Sequence, residues 1–143
     1  MSVEPPDRAT VVAAIMPDVL SIRLDVADDD VGFARLVSEG GGTCAGLFVA
    51  KELFARVGAR TRPLVAEGDV VGPADPVAEV GGPLAAIRGA APLALTWLQR
   101  LSAVASGASP PAPGDALDAW AARLSAPGAV RHDGPSFRVE FEG

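Results

Sequence analysis

The sequence predicts an α+β domain in which a small, mostly antiparallel and strongly bent sheet is packed by two or three helices. Two segments indicate helices: residues 47–57 and 90–105 each place apolar side chains on one stripe, with charged residues off it. Short apolar runs separated by Gly-Asp and Gly-Pro corners between residues 62 and 87 indicate the strands. The chain has 143 residues, so we expect a single domain over 1–143.

Composition and charge exclude several classes of function. The net charge is −6 and the 12 basic residues are scattered, which disfavours nucleic acid as a partner. No apolar run approaches the ~20 residues that span a bilayer, and the first residues have no pattern of a secretory signal. The single cysteine, Cys44, fits a reducing compartment. We expect a cytoplasmic protein that binds no membrane, and its Ala, Gly, Pro and Arg usage indicates a GC-rich bacterial source.

The first half of the chain alternates between helix and strand signals. A helix is predicted over residues 8–20, with Pro17 ending or kinking it. Residues 33–38 read as a strand that the following glycines close. The 47–57 helix stops at Gly58, a residue suited to the position after a helix.

The middle of the chain predicts two strands and the longest helix. The strands are residues 62–67 and 76–80, joined by a turn and by the linking segment 70–75. The long helix is predicted over residues 90–105. Its Pro92 suits the first turn, where a missing N–H costs nothing.

The last third of the chain adds a linker, a helix and a strand. Residues 107–114 are rich in proline and predict a stiff, extended linker. Asp115 is placed to cap a helix that runs to about residue 125. Residues 137–142 alternate apolar and charged side chains, which is the strongest strand signal in the chain.

Several short segments, taken in order, carry a resemblance to a known family. They are the run 44–54, Glu67-Gly68-Asp69 leading to Gly82-Pro83, Leu98-Gln99-Arg100-Leu101-Ser102, and the tail 131–139. Together they resemble the N-terminal domain of quinolinate phosphoribosyltransferase (nicotinate-nucleotide pyrophosphorylase). The resemblance covers about residues 19–106, resumes at the tail, and implies the same α+β fold.

The resemblance also implies that a large part of the family enzyme has no counterpart here. Family enzymes follow this small domain with an α/β barrel that holds most catalytic groups, and a final strand returns from the barrel to the small domain's sheet. We therefore expect a family-like core over 19–106, a linker over 107–114 in place of the barrel, and a helix with a closing strand over 115–143.

A second departure from the family lies at Ala91-Pro92, where the family has Glu-Arg. The resemblance implies that this arginine binds a substrate carboxylate in the neighbouring subunit's active site, where its planar guanidinium can form two parallel hydrogen bonds. Proline has neither charge nor donor. Arg88 lies one turn earlier, which displaces its head group by roughly 5 Å. We therefore expect no phosphoribosyl transfer by this chain alone, and no cofactor.

Three residues are candidates for ligand binding, and none is assigned a catalytic role. Arg88 and Arg100 lie roughly 18 Å apart along the long helix, so they either flank an anionic ligand or form surface ion pairs and partner contacts. His132, the only histidine, is either a general base or a hydrogen-bonded loop residue. The sequence contains no metal-ligand cluster, phosphate loop or Ser/His/Asp arrangement.

Four other features favour structural interpretations. Cys44 has no neighbouring base that would lower its pKa, so we expect a core thiol. The acidic run 28–30 lacks the alternate spacing of a chelating loop and is expected to be a solvated turn. Trp97 and Trp120 fall on apolar stripes and are expected in the core. Lys51 lies inside a predicted helix, not at the hairpin tip where carrier modules present a modified lysine.

Three hypotheses of function remain open from the sequence. The first is a non-catalytic binding, interaction or accessory protein. The second is a repurposed small enzyme of secondary or cofactor metabolism with a pocket between the sheet and the long helix. The third is the N-terminal subunit of a split enzyme. Apolar surface that family barrels would cover predicts a homodimer or a protein complex, with a small anionic ligand as a further partner.

Overall fold

A computed structural model describes residues 4–23, 30–112, 114–125 and 134–142. Its elements in chain order are α1 (Arg8–Ser21), β1 (Val31–Ser38), β2 (Gly42–Thr43), α2 (Leu47–Arg56), β3 (Arg60–Pro63), β4 (Val70–Val71), β5 (Pro76–Pro83), α3 (Leu84–Ala105), α4 (Ala116–Leu124) and β6 (Phe137–Glu142). Four strands form an antiparallel sheet in the order β3-β5-β1-β6, and β2 pairs with β4. The predicted α+β fold is confirmed.

The core lies between one face of the sheet and the helices α2 and α3. Strand alternation sends Ala34 and Leu36 of β1, and Val80 of β5, to this face, where all three are fully buried. From the helices the core receives a further set of fully buried side chains: Leu47, Leu53, Phe54, Ile87, Leu98 and Leu101. Burying one such side chain stabilises the fold by about 1.5–3 kcal/mol, so this layer supplies the main driving force.

The tail of the chain closes the sheet, as its alternating pattern predicts. Strand β6 pairs antiparallel with β1, with Leu36 opposite Val139. The chain enters β6 through Gly134, which has φ +87° and lies against α3. A Cβ at this glycine would lie 2.6 Å from the Cα of Ala103, so only glycine permits this approach of two backbones.

The proline inside α3 lies elsewhere in its helix than the sequence predicts. Helix α3 begins at Leu84 and not at residue 90, so Pro92 lies within the helix and not in its first turn. Proline there removes the hydrogen bond to the carbonyl of residue 88. The helix persists because residues on both sides of the proline, such as Ala90 and Ala94, are fully buried against the core. Helix α1 runs to Ser21 with Pro17 inside it, close to the predicted bounds 8–20, so the proline does not end this helix.

The region between α2 and β5 also differs from the sequence prediction. The strand predicted over 62–67 is β3, Arg60–Pro63, and residues 64–69 form turns instead. The Asp69 carboxylate accepts a hydrogen bond from the Ala66 N–H at 2.8 Å, which gives the backbone a turn to adopt. Val70–Val71, predicted to be part of a link, is strand β4.

The bounds of α2 and α4 match the prediction closely. Helix α2 ends at Arg56, and Gly58 follows with φ +90°. Helix α4 begins after Asp115, whose carboxylate accepts hydrogen bonds from the N–H groups of Leu117 and Asp118. The preceding residues 108–112 form neither helix nor strand. The domain boundaries at 106 and 115 stay predictions.

Candidate binding site

Arg100, a predicted ligand-binding residue, is held in an ion pair. Its Nε and one terminal nitrogen donate to the two carboxylate oxygens of Asp118 at 2.9 and 2.7 Å. Asp118 is completely buried, and its carboxylate also accepts the N–H of Ala112 at 3.0 Å. These bonds to Asp118 raise the pKa of Arg100. The pair therefore fastens α4 and the segment before it onto α3.

Arg88 lies at the other end of α3 and faces the last strand. Its guanidinium carbon is 5.5 Å from the centre of the Phe141 ring, a distance at which a cation is attracted to an aromatic face. The structure therefore gives Arg88 and Arg100 separate partners and does not bring them to one site. His132 lies outside the described residues. Pro92, between the two arginines, is exposed.

A half-buried carboxylate, named above only as part of a family-like segment, holds the start of α2. Glu67 accepts hydrogen bonds from the N–H groups of Gly46 and Leu47, each at 2.8 Å. Gly46 has no side chain to cap the helix, so the acceptor comes from a turn twenty residues later. Burial raises the pKa of Glu67, and the backbone hydrogen bonds oppose that rise. The glycine in the capping position was the available signal.

The cysteine and the tryptophans are core residues, as expected. Cys44 is fully buried, and burial, reinforced by the charges of Glu67 and Asp69, raises the pKa of its thiol to about 12. The indole N–H of Trp97 donates to Asp18 at 2.8 Å. Trp120 is 2% exposed and packs edge-on against an aromatic ring of α2. An inert thiol and two packed indoles offer no chemistry to a ligand.

Lys51 and the acidic run also stay outside the candidate site. Lys51 is exposed on α2, as its helical position predicts. Of the acidic run 28–30, only Asp30 is described, and its backbone carbonyl accepts the N–H of Leu84 at 2.8 Å. Among the described residues, no group of three or more His, Cys, Asp or Glu is arranged to hold a metal ion. In the same part of the chain, no helix has the length and apolar character to cross a membrane.

A groove of about 530 Å³ lies on the open face of the sheet, opposite the core. Its floor is Gly81, where an added Cβ would lie 3.0 Å from the Phe33 ring, so the ring rests directly on the glycine. Arg60 and Arg62 alternate with a buried residue along β3 and therefore share this face. Arg62 contacts Glu79 at 3.3 Å. We call this surface the open-face groove.

The open-face groove combines cationic, aromatic and flat backbone surfaces. Arg60 is exposed and forms no ion pair with any residue of the described ranges. A guanidinium group of this kind forms bidentate hydrogen bonds with carboxylate or phosphate oxygens, while an aromatic ring provides apolar contact. The site was not predicted from the sequence because the strand was expected to begin at Arg62, which left Arg60 outside it. The alternation of Arg60 and Arg62 on either side of Thr61 was the signal.

The family model described as "Quinolinate phosphoribosyl transferase, N-terminal domain" matches residues 18–102. No curated protein matches the chain. Among solved structures, nicotinate-nucleotide pyrophosphorylase from Francisella tularensis superposes with TM-score 0.74 at 16% identity, covering 92% of this chain and 56% of that one. NadC from Streptococcus pyogenes superposes with TM-score 0.65 at 22% identity, covering 87% of this chain and 52% of that one. Nicotinate-nucleotide pyrophosphorylase from Ehrlichia chaffeensis superposes with TM-score 0.67 at 12% identity, covering 92% of this chain and 57% of that one.

These structural likenesses, all below 25% identity, show a shared fold. The chain spans about half the length of the solved structures that it matches. The residues that the family model matches, 18–102, contain β1 to β5, α2 and most of α3, which carry the open-face groove and the two long-helix arginines.

Replacing Arg100 by Met should destabilise the fold by about 3 kcal/mol, because the buried Asp118 carboxylate loses its countercharge. Urea unfolding at pH 7 measures this loss. Arg123→Met, at an exposed arginine of α4, is the matched control. Asp118→Leu added to Arg100→Met should recover much of the loss, since it removes the stranded charge. A loss below about 1 kcal/mol in the single variant would contradict a structural role for the pair.

The raised pKa of Glu67 predicts a pH dependence of stability with a definite sign. The folded chain holds this proton more tightly than the unfolded chain, so the carboxyl's contribution is full below its ordinary value of 4.5 and is lost as pH rises through the folded pKa. The free energy of unfolding of the wild type should therefore fall, relative to the non-titrating Glu67→Gln variant, from about pH 4.5 upward. Urea unfolding across pH 4–8 measures the difference, with Glu39→Gln as the exposed control. A difference that moves in the wild type's favour with rising pH would contradict the raised pKa.

Proposed function

The chain belongs to the family of the quinolinate phosphoribosyl transferase N-terminal domain, and from this premise we propose that it is a binding or accessory domain that does not itself transfer a phosphoribosyl group. In this proposal the chain is a pseudoenzyme of a bacterial cytoplasm, and its retained sheet and long helix serve recognition. The solved proteins that it resembles are named as nicotinate-nucleotide pyrophosphorylases, and about half of their length has no counterpart in these 143 residues.

The observation that carries the proposal is the state of α3. The position at which the family resemblance implies a substrate-gripping arginine is Pro92, exposed and without a donor. The two arginines that lie on the same helix both have protein partners. Arg100 is bound to a buried carboxylate, and Arg88 lies over an aromatic ring. A helix in this state offers a substrate carboxylate no free guanidinium.

The open-face groove supports the binding role. A volume of about 530 Å³ lies within the range of small-molecule sites, and its groups suit a small anionic ligand. Arg60 supplies a cation that forms no ion pair with the described residues, Arg62 supplies a second one that contacts Glu79, and Phe33 provides an apolar wall. Among the described residues that line the groove, the one carboxylate, Glu79, is paired with Arg62, and there is no Ser, Cys or His, so the chemistry favours recognition.

The other two hypotheses receive less support from the described residues. A repurposed enzyme was expected to use a pocket between the sheet and the long helix, but that space is filled by buried side chains such as Leu36, Val80 and Ile87. A split enzyme would still need the substrate arginine that Pro92 replaces. We therefore keep the binding or accessory role as the proposal.

The absence of transfer is testable with the chain as it stands. With quinolinate, phosphoribosyl pyrophosphate and Mg²⁺, we expect no mononucleotide product by chromatography. The Francisella tularensis enzyme serves as the positive control in the same assay. Turnover above the protein-free blank would overturn the proposal. Turnover that appears only when a separate barrel-bearing chain is added would favour the split enzyme.

The ligand part of the proposal predicts binding of small anions at the open-face groove. Calorimetry at low salt with pyrophosphate and with quinolinate should detect at least one of them. Arg60→Gln should weaken that binding about tenfold or more, because a charge-assisted hydrogen bond contributes about 1.5–3 kcal/mol. Arg123→Gln is the matched control. Binding that resists Arg60→Gln but is lost in Arg88→Gln would place the ligand on α3 and refute the groove.

A further inference from the structure

Strand β6 is an edge of the four-stranded sheet, and its backbone shows which groups face outward. The Glu39 N–H donates to the Ser136 carbonyl at 2.8 Å, and neighbouring residues alternate, so Arg138 and Glu140 bond toward β1. Phe137, Val139 and Phe141 therefore direct their N–H and C=O groups away from β1. Consistent with this alternation, the Phe137 N–H donates to the Gln99 side chain at 3.3 Å. The outward groups of Val139 and Phe141 have no strand partner among the described residues.

The two faces of β6 differ sharply in chemistry. Opposite residues of an antiparallel pair share a face, so Phe141 lies on the core side with Ala34, and Val139 lies there with Leu36. Arg138 and Glu140 lie on the open face and contact each other at 2.9 Å. The edge strand thus carries apolar side chains on the core side and one charge of each sign on the open face.

We propose that β6 pairs antiparallel with β6 of a second copy of this chain, with the two-fold axis at Val139, which joins the two sheets into one of eight strands. Each Arg138 then lies opposite the other copy's Glu140, and each Phe137 opposite the other copy's Phe141. The inference goes beyond the proposed function, since a catalytic and a non-catalytic chain can both pair in this way.

Charge complementarity selects this register over its neighbours. A shift by two residues in one direction places Arg138 opposite Arg138 of the second copy. A shift by two in the other direction places Glu140 opposite Glu140 of the second copy. Like charges directly opposite are destabilising, so both alternatives are disfavoured. Only pairing centred on Val139 gives two opposite-charge pairs and no like-charge pair on the open face.

The rest of the sheet extends the same pattern. On the open face, Arg62, Glu79, Arg35 and Glu140 are cross-strand neighbours along β3, β5, β1 and β6, with alternating sign. Arg138 of a second copy continues this row with the next positive charge. On the other face, Phe141 is 42% exposed in the single chain, and an opposing phenylalanine would cover it.

Single cysteine substitutions test the register directly. Opposite residues in a hydrogen-bonded pair have Cα atoms about 5.5 Å apart, within disulfide range, whereas diagonal residues are about 7–8 Å apart. Val139→Cys should therefore give a covalent dimer on mild oxidation, and Glu140→Cys should not. The native Cys44 is fully buried and does not compete. Cross-linking through residue 140 and not 139 would overturn the proposed register.

Charge reversal tests the interface without a covalent bond. Light scattering should give about twice the 14.5 kDa of one chain for the wild type. Arg138→Glu should weaken the dimer at least tenfold, because four carboxylates then face each other across the edge. Adding Glu140→Arg should restore it, and Arg123→Glu should leave it unchanged. Circular dichroism confirms that each variant is folded.

Three outcomes would refute the interface. The first is a monomeric wild type at high concentration. The second is a dimer that Arg138→Glu leaves intact, since self-association would then use another surface. The third is a complex with another protein in which no dimer of this chain forms, although the thiol of the Val139→Cys variant still reacts with a labelling reagent. The edge strand would then be free and yet unpaired. None of these results bears on whether the chain transfers a phosphoribosyl group, which the product assay decides separately.

Discussion

The pairing of β6 with β1 is the constraint on which the rest of this architecture depends. It joins residues about a hundred positions apart, such as Leu36 and Val139, so the chain must close a long loop before this contact forms. Once made, it places β1 in the interior of the sheet, with a strand on either side. It also brings the tail against α3, where Arg88 covers Phe141. The position of the sheet edge and the covering of the core face both follow from that closure.

Helix α3 acts as a structural element, because both of its arginines have partners within the chain. Its arginine at 100 is committed to Asp118, which brings α4 onto the helix that would otherwise present it. A buried carboxylate is costly to leave unpaired, so this commitment is strong. On the opposite side of the sheet, Arg60 and Arg62 of β3 line the open-face groove. The proposed recognition therefore uses the strand layer and not the arginines of α3.

Local periodicity was enough to predict α2, α4 and β6, because each has an amphipathic or alternating pattern with a clear start or stop. It failed where a tertiary contact overrides a local rule. Pro92 suggests a helix start by its backbone chemistry, yet buried alanines on both sides keep α3 continuous. The Glu67 cap and the Arg100–Asp118 pair join residues that are 18 to 21 positions apart, and no local pattern marks such partners. The open-face groove depended on a strand start that was misplaced by two residues.

The close approach at Gly134 has a consequence for how this chain can change over time. Its Cα lies against Ala103, so the strand that follows is anchored by contact of backbone on backbone at a point just before it begins. A side chain at Gly134 would displace the strand that follows, because it would meet the backbone of Ala103. Drift in size is therefore not permitted at this one residue.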